Sequence, residues 1–132
     1  MKHIQRLSER KNIFLIAAVG WTSFTTYLSL SEVKVLPGFE IENADKGVHF
    51  IFHLVFTICW YLFLNFGYGF RFKILRIAFL LSLFYGIAIE FCQEYLTTYR
   101  SGDPMDVLAN SVGALSAVIA MFILQKSLKL IQ

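Results

Sequence analysis

Long apolar stretches separated by short clusters of charge set the pattern of this chain. No formally charged residue falls between Lys11 and Glu32, between Lys46 and Arg71, or between Asp106 and Lys126. Each gap can hold the ~20 apolar residues that a membrane-crossing helix needs. A further stretch, between Arg76 and Arg100, is also long enough, but Glu90 and Glu94 interrupt it. The pattern predicts an all-α membrane protein, a four-transmembrane-helix bundle with helices at about 12–30, 46–66, 74–97 and 105–125. Nothing marks a second domain or an internal repeat, so 1–132 reads as one domain. The short connection at 67–73 predicts that the second and third helices are antiparallel neighbours. The longer connection at 31–44 contains the turn signal Pro37-Gly38. Its Val33, Val35, Leu36, Phe39 and Ile41 suit the membrane interface or the outer end of the bundle.

Composition sharpens this picture. The 132 residues are 57% hydrophobic and 16% charged, too apolar for a soluble domain of this size. The net charge of +3 raises the question of a nucleic-acid partner. Its placement answers no. Lys2, Arg6, Arg10 and Lys11 precede the first helix, Arg71, Lys73 and Arg76 lie between the second and third, and Lys126 and Lys129 follow the fourth. The other two connections are acidic or mixed. Basic residues thus alternate with each crossing, the positive-inside pattern, and both termini are expected in the cytoplasm. The basic N-terminal segment followed by an apolar one reads as a signal anchor retained as helix one. Cys59 and Cys92 fall at different depths and are expected as free apolar thiols.

The candidate chemistry begins with Glu90, which sits within an otherwise apolar run at 77–91. A carboxylate at the centre of a spanning helix costs ~2.5–3.5 kcal/mol on insertion scales, so it needs a partner, a proton or a purpose. Asp45, His49 and His53 recur every fourth residue, which puts them along one face of helix two. At a 1.5 Å rise per residue, His49 lies about 5 Å below the outer surface and His53 about 10 Å. Glu90 lies roughly 9–10 Å from the outer end of helix three, with Gln93 nearer the surface. Asp103, Asp106, Asn110 and Gly113 share a face at the outer start of helix four. Three helices therefore bring polar groups to one level. Gly86, one turn before Glu90, leaves room for another helix beside that carboxylate. The run Asn110, Gly113, Ala114, Ala117 and Ala120 permits close approach of a neighbour.

Several of these residues also have plain structural readings. Asp103 before Pro104 suits an N-cap followed by proline at N1, with Asp106 at the capping-box position. Asp45 suits a first turn, and Lys46 suits snorkelling outward. Glu90, a histidine, Asn110 and Gln93 would make a polar network that holds the bundle together. A metal shared by His49, His53, Glu90 and Asp106 is a separate reading. No Glu stands beside the first histidine, so the H-E-x-x-H pattern is missing, and no metal or other cofactor is expected. Acid–base chemistry between Glu90 and His49, with Asp106 as a further catalytic candidate, is another.

Three spaced motifs carry a resemblance. Asp45-Lys46-x-x-His49 opens helix two, and Glu90-x-x-Gln93 closes helix three. Arg100-x-x-Asp103-x-x-Asp106-x-x-x-Asn110-x-x-Gly113 opens helix four. Over residues 45–117 the chain resembles the VanZ-like family. The resemblance implies a small multi-pass protein of the bacterial cytoplasmic membrane, of a type whose namesake gives resistance to the glycopeptide teicoplanin. The expected partners are membrane lipids and a lipid-linked, cell-wall-precursor-like or glycopeptide-related ligand. The ligand residues would be Asp45, Lys46, His49, Glu90, Gln93, Arg100, Asp103, Asp106 and Asn110, with Lys46 and Arg100 suited to phosphate. His53 lies outside the motif. A membrane-embedded enzyme acting on a lipid-linked substrate is the alternative function. A small proton-coupled transporter is weaker, since no pair of Gly/Pro-interrupted helices occupies corresponding positions.

Overall fold

The computed structural model describes residues 2–32, 44–68 and 70–131, with side chains for 9–32, 44–68, 70–125 and 127. The Pro37-Gly38 turn and the apolar residues around it lie outside the described residues. Four helices follow one another: α1 Lys2–Leu30, α2 Ala44–Leu64, α3 Phe72–Leu96 and α4 Pro104–Ile131. Each contains a segment long and apolar enough to cross a membrane: Glu9–Leu30, Ala44–Leu64, Phe72–Leu96 and Pro104–Gln125. The first helix begins well before its apolar part, because the polar residues at its start still favour helix.

Burial runs opposite to that of a water-soluble bundle. Phe84 and Phe91 are 66% and 63% exposed, and Ile16 is 70% exposed, whereas Glu90 between the two phenylalanines is 6% exposed. Those apolar side chains face the surroundings that lipid occupies, and the acid is turned inward. The interior faces are narrow stripes at helical spacing. In α2 they are His49, His53, Phe56, Thr57 and Tyr61. In α3 they are Leu75, Ala78, Ser82, Gly86, Ile89, Glu90 and Gln93. In α4 the buried stripe is Asp106, Asn110, Gly113, Ala114 and Ala117; Ala120 is exposed and does not extend it. Lipid offers no hydrophobic drive between helices, so small and polar residues at the contacts do the joining.

The most extensive packing is between α2 and α4. A Cβ added at Gly113 would lie 2.1 Å from the Phe50 carbonyl oxygen, so only glycine permits this crossing. The α2–α3 neighbourhood predicted from the short connection is present, but α2 packs more extensively on α4. The small apolar core, Tyr61, Leu75 and Ala78, lies where α2 ends and α3 begins. The polar groups lie at the other end, where α2 and α4 start and α3 stops. Helix α1 joins through hydroxyls. Thr25 and Thr26 Oγ1 lie 2.9 and 2.8 Å from the Tyr85 hydroxyl. Trp60 Nε1 donates to Thr22 Oγ1 at 3.1 Å.

Candidate functional site

Helix α4 is started by Asp103, whose Oδ1 accepts the Met105 N–H at 2.8 Å. That bond favours the charged carboxylate and holds the Asp103 carboxyl below its usual range, with Lys46 adding to the effect. The capping box is completed in an unexpected way. The Asp103 N–H donates to Glu90 Oε2 at 3.1 Å, so α3 supplies the carboxylate that a capping box takes from its own N3 position. Glu94 does the same one residue earlier, accepting the Gly102 N–H at 2.8 Å. Asp106, relieved of that duty, turns into the bundle.

There it meets His49. Asp106 Oδ2 lies 3.6 Å from His49 Nε2, and Glu90 Oε1 lies 3.6 Å from His49 Nδ1. Asn110 Oδ1 is 3.1 Å from the same Nδ1. His49, Glu90, Asp106 and Asn110 are all buried, at 4%, 6%, 7% and 1% exposure. Three of their atoms have no hydrogen-bond partner: Glu90 Oε1, Asp106 Oδ1 and Asn110 Nδ2. Buried polar atoms are almost always paired, so these three are exceptions that call for a reason.

Above this knot, Lys46 Nζ lies 3.5, 3.4 and 3.8 Å from carboxylate oxygens of Asp45, Asp103 and Asp106. It bridges acids of α2 and α4 instead of reaching away from them. Gln93 does not join the knot through a described hydrogen bond. Its Nε2 donates to the Ser29 carbonyl of α1 at 3.0 Å. His53 also leaves it, with Nδ1 2.8 Å from Ser82 Oγ of α3. The space that Gly86 leaves is filled by Asn110 and His53, since a Cβ there would lie 2.9 Å from atoms of each. Ser82 and the Thr22–Tyr85 hydroxyl set are the polar partners that periodicity alone does not single out. Hydroxyls commonly bond their own helix, so their sequence signal is weak.

Two cavities meet here. One, of about 310 Å³, is polar and lined by Asp45, Gln93, Arg100, Asp103 and Asp106, with Tyr99 and Ser101. The other, of about 260 Å³, is apolar and lined by Leu28, Ser29, Val48, His49 and Phe52 between α1 and α2. They share Asp45 and Arg100 as walls.

The VanZ/LLP1 family model matches residues 2–125. The chain belongs to the VanZ/LLP1 family. The match extends beyond the three polar motifs to take in the whole of α1, and with the four apolar helices it makes this member a multi-pass membrane protein. Neither a curated protein nor a solved structure matches this VanZ/LLP1 chain.

Proposed function

We propose that this VanZ/LLP1 member sits in the bacterial cytoplasmic membrane with both termini in the cytoplasm. It binds an amphipathic, lipid-like or cell-wall-precursor-like molecule at its outer end and so contributes to glycopeptide (teicoplanin) resistance. The adjoining cavities carry the reading. A polar chamber and an apolar slot with common walls at Asp45 and Arg100 suit a molecule with a charged end and a chain. Arg100 presents a planar guanidinium fork to an anionic headgroup, and Lys46 supplies a second cation among the acids. Phe52 and Val48 line the slot for the chain. The orientation rests on Arg10, Lys11, Arg71, Lys73 and Arg76, which lie at the end of the bundle away from the chamber. A nucleic-acid partner has no place in this arrangement.

The test uses purified protein in nanodiscs with a polyprenyl phosphate as probe, and teicoplanin susceptibility in cells. Arg100→Ala removes charge-assisted hydrogen bonds worth ~1.5–3 kcal/mol, so probe affinity falls about tenfold or more. Phe52→Trp fills the slot and weakens binding without touching a charge. His49→Ala and Glu90→Gln lower both binding and resistance. Unchanged binding and unchanged susceptibility in all four variants would sink the reading.

A second reading, turnover of a lipid-linked substrate with Glu90 and His49 as the acid–base pair, is supported by the imidazole lying 3.6 Å from a carboxylate oxygen on each side. Release of product from a lipid-linked precursor by wild type, and its loss in Glu90→Gln, separates turnover from binding.

A further inference from the structure

We propose that His49, Glu90 and Asp106 form a binding site for a divalent transition-metal ion, of the zinc or manganese class. This goes beyond the amphiphile reading and does not depend on it. It also revises the expectation of a metal-free pocket drawn from the sequence.

Asn110 Oδ1 lies 3.1 Å from His49 Nδ1. In the neutral tautomer that donates from Nδ1 to this oxygen, Nε2 carries the lone pair. The Nε2 lone pair then confronts Asp106 Oδ2 at 3.6 Å. Two acceptors do not attract, and 3.6 Å is too long for a hydrogen bond if Nε2 carries a proton instead. Two donor atoms held by one ion through bonds of about 2.1 Å at angles of about 110–120° stand about 3.4–3.6 Å apart. The observed gap is of that size.

Glu90 makes the third ligand. One donor atom from each of His49, Glu90 and Asp106 lies within 4.8 Å of the others. Glu90 Oε1 lies 3.6 Å from His49 Nδ1, and atoms on one ion are at most about 4.2 Å apart, so closing on an ion at Nε2 moves the Glu90 carboxylate toward that nitrogen. Independently of the cluster, Glu90 Oε1 is buried and unpaired, on a residue 6% exposed. Its other oxygen is anchored on the Asp103 N–H, which fixes the carboxylate in place. The Asn110 bond to His49 is the outer-shell contact that ligating histidines characteristically make. His53 is not one of the residues whose donor atoms gather here, and its Nδ1 faces Ser82 instead.

The donor set specifies the class. One imidazole nitrogen and two carboxylates suit zinc or manganese, whereas an all-oxygen set would suit calcium or magnesium. Three protein ligands leave a coordination position open, as in catalytic sites. Asp106 is both a ligand and a wall of the polar chamber, so water or an anion in the chamber can take that position.

The experiment strips purified full-length protein with chelator and titrates it with Zn²⁺ or Mn²⁺ alone, with metal content per chain measured after desalting. About one equivalent binds to wild type. Glu90→Gln and Asp106→Asn each lose affinity on the order of a hundredfold, since outer-shell changes alone cost 10–100-fold at metal sites. Glu94→Gln, whose carboxylate accepts the Gly102 N–H and is not one of the three ligands, binds as wild type does. Should the ligand variants misfold, the Co²⁺ spectrum of wild type reports a nitrogen–oxygen site directly. Substoichiometric metal in wild type, or equal affinity in wild type, Glu90→Gln and Asp106→Asn, overturns the proposal and leaves water between the acceptors.

Discussion

The two oxygens of Glu90 have unlike surroundings. Oε2 holds the start of α4 through the Asp103 N–H, and Oε1 remains unpaired beside His49. A neutral amide at this position keeps the size but weakens the acceptor, so Glu90→Gln perturbs the α3–α4 junction as well as the site. Ser82 is the contrasting case. It is fully buried and its only described side-chain partner is His53 Nδ1 at 2.8 Å, one turn below the knot. Ser82→Ala leaves that nitrogen without a partner. The expected loss is about 1 kcal/mol, at the low end for an orphaned buried group because polar contacts between membrane helices are modest. Thermal unfolding in detergent should show the loss, while metal and probe binding stay unchanged.

At the level of helices, two glycines set how close the packing is, and they differ in kind. At Gly113 an added Cβ meets the Phe50 backbone at 2.1 Å. Backbone cannot rotate away, so Gly113→Ala must push α2 and α4 apart. At Gly86 the obstacles are side-chain atoms of Asn110 and His53 at 2.9 Å, which can shift. Overpacking costs about 1–3 kcal/mol, and Gly113→Ala is expected at or above the top of that range, Gly86→Ala near the bottom. Denaturant titration of the two variants against wild type gives the order. The Gly86 change also displaces Asn110, so it weakens metal uptake more than its effect on stability alone accounts for.

The whole molecule has two unlike ends. One carries the apolar core around Tyr61 and Leu75 and is rimmed by basic residues over aromatic rings, with Arg71 Cζ 4.2 Å from the Tyr68 ring centre and Lys11 Nζ 5.5 Å from that of Phe63. The other carries the cluster of acids around His49 and the two adjoining cavities. Cation–aromatic pairs at a membrane boundary suit the cytoplasmic face. In a background without Cys59 and Cys92, both free thiols, Ser101→Cys is expected to react with an impermeant maleimide in intact cells. Lys73→Cys should react only after lysis. The reverse pattern would put the chamber in the cytoplasm and end the envelope reading.

The sequence by itself determined the membrane class, the four helices and the level of the polar groups, because spanning length and the avoidance of charge in hydrocarbon act locally on each segment. Glu90 was legible for the same reason: a charge in an apolar run is conspicuous without any neighbour. What only the tertiary structure decided is who meets whom. Asp106 read both as a site residue and as a cap, since its spacing from Asp103 is that of a capping box, yet Glu90 from another helix took the capping contact. Gln93 read as part of the knot and bonds α1 instead. His53 read as a sister to His49 and pairs with a serine. Periodicity places a side chain on a face and at a depth, but partner choice depends on helix rotation and on where a glycine lets two backbones close.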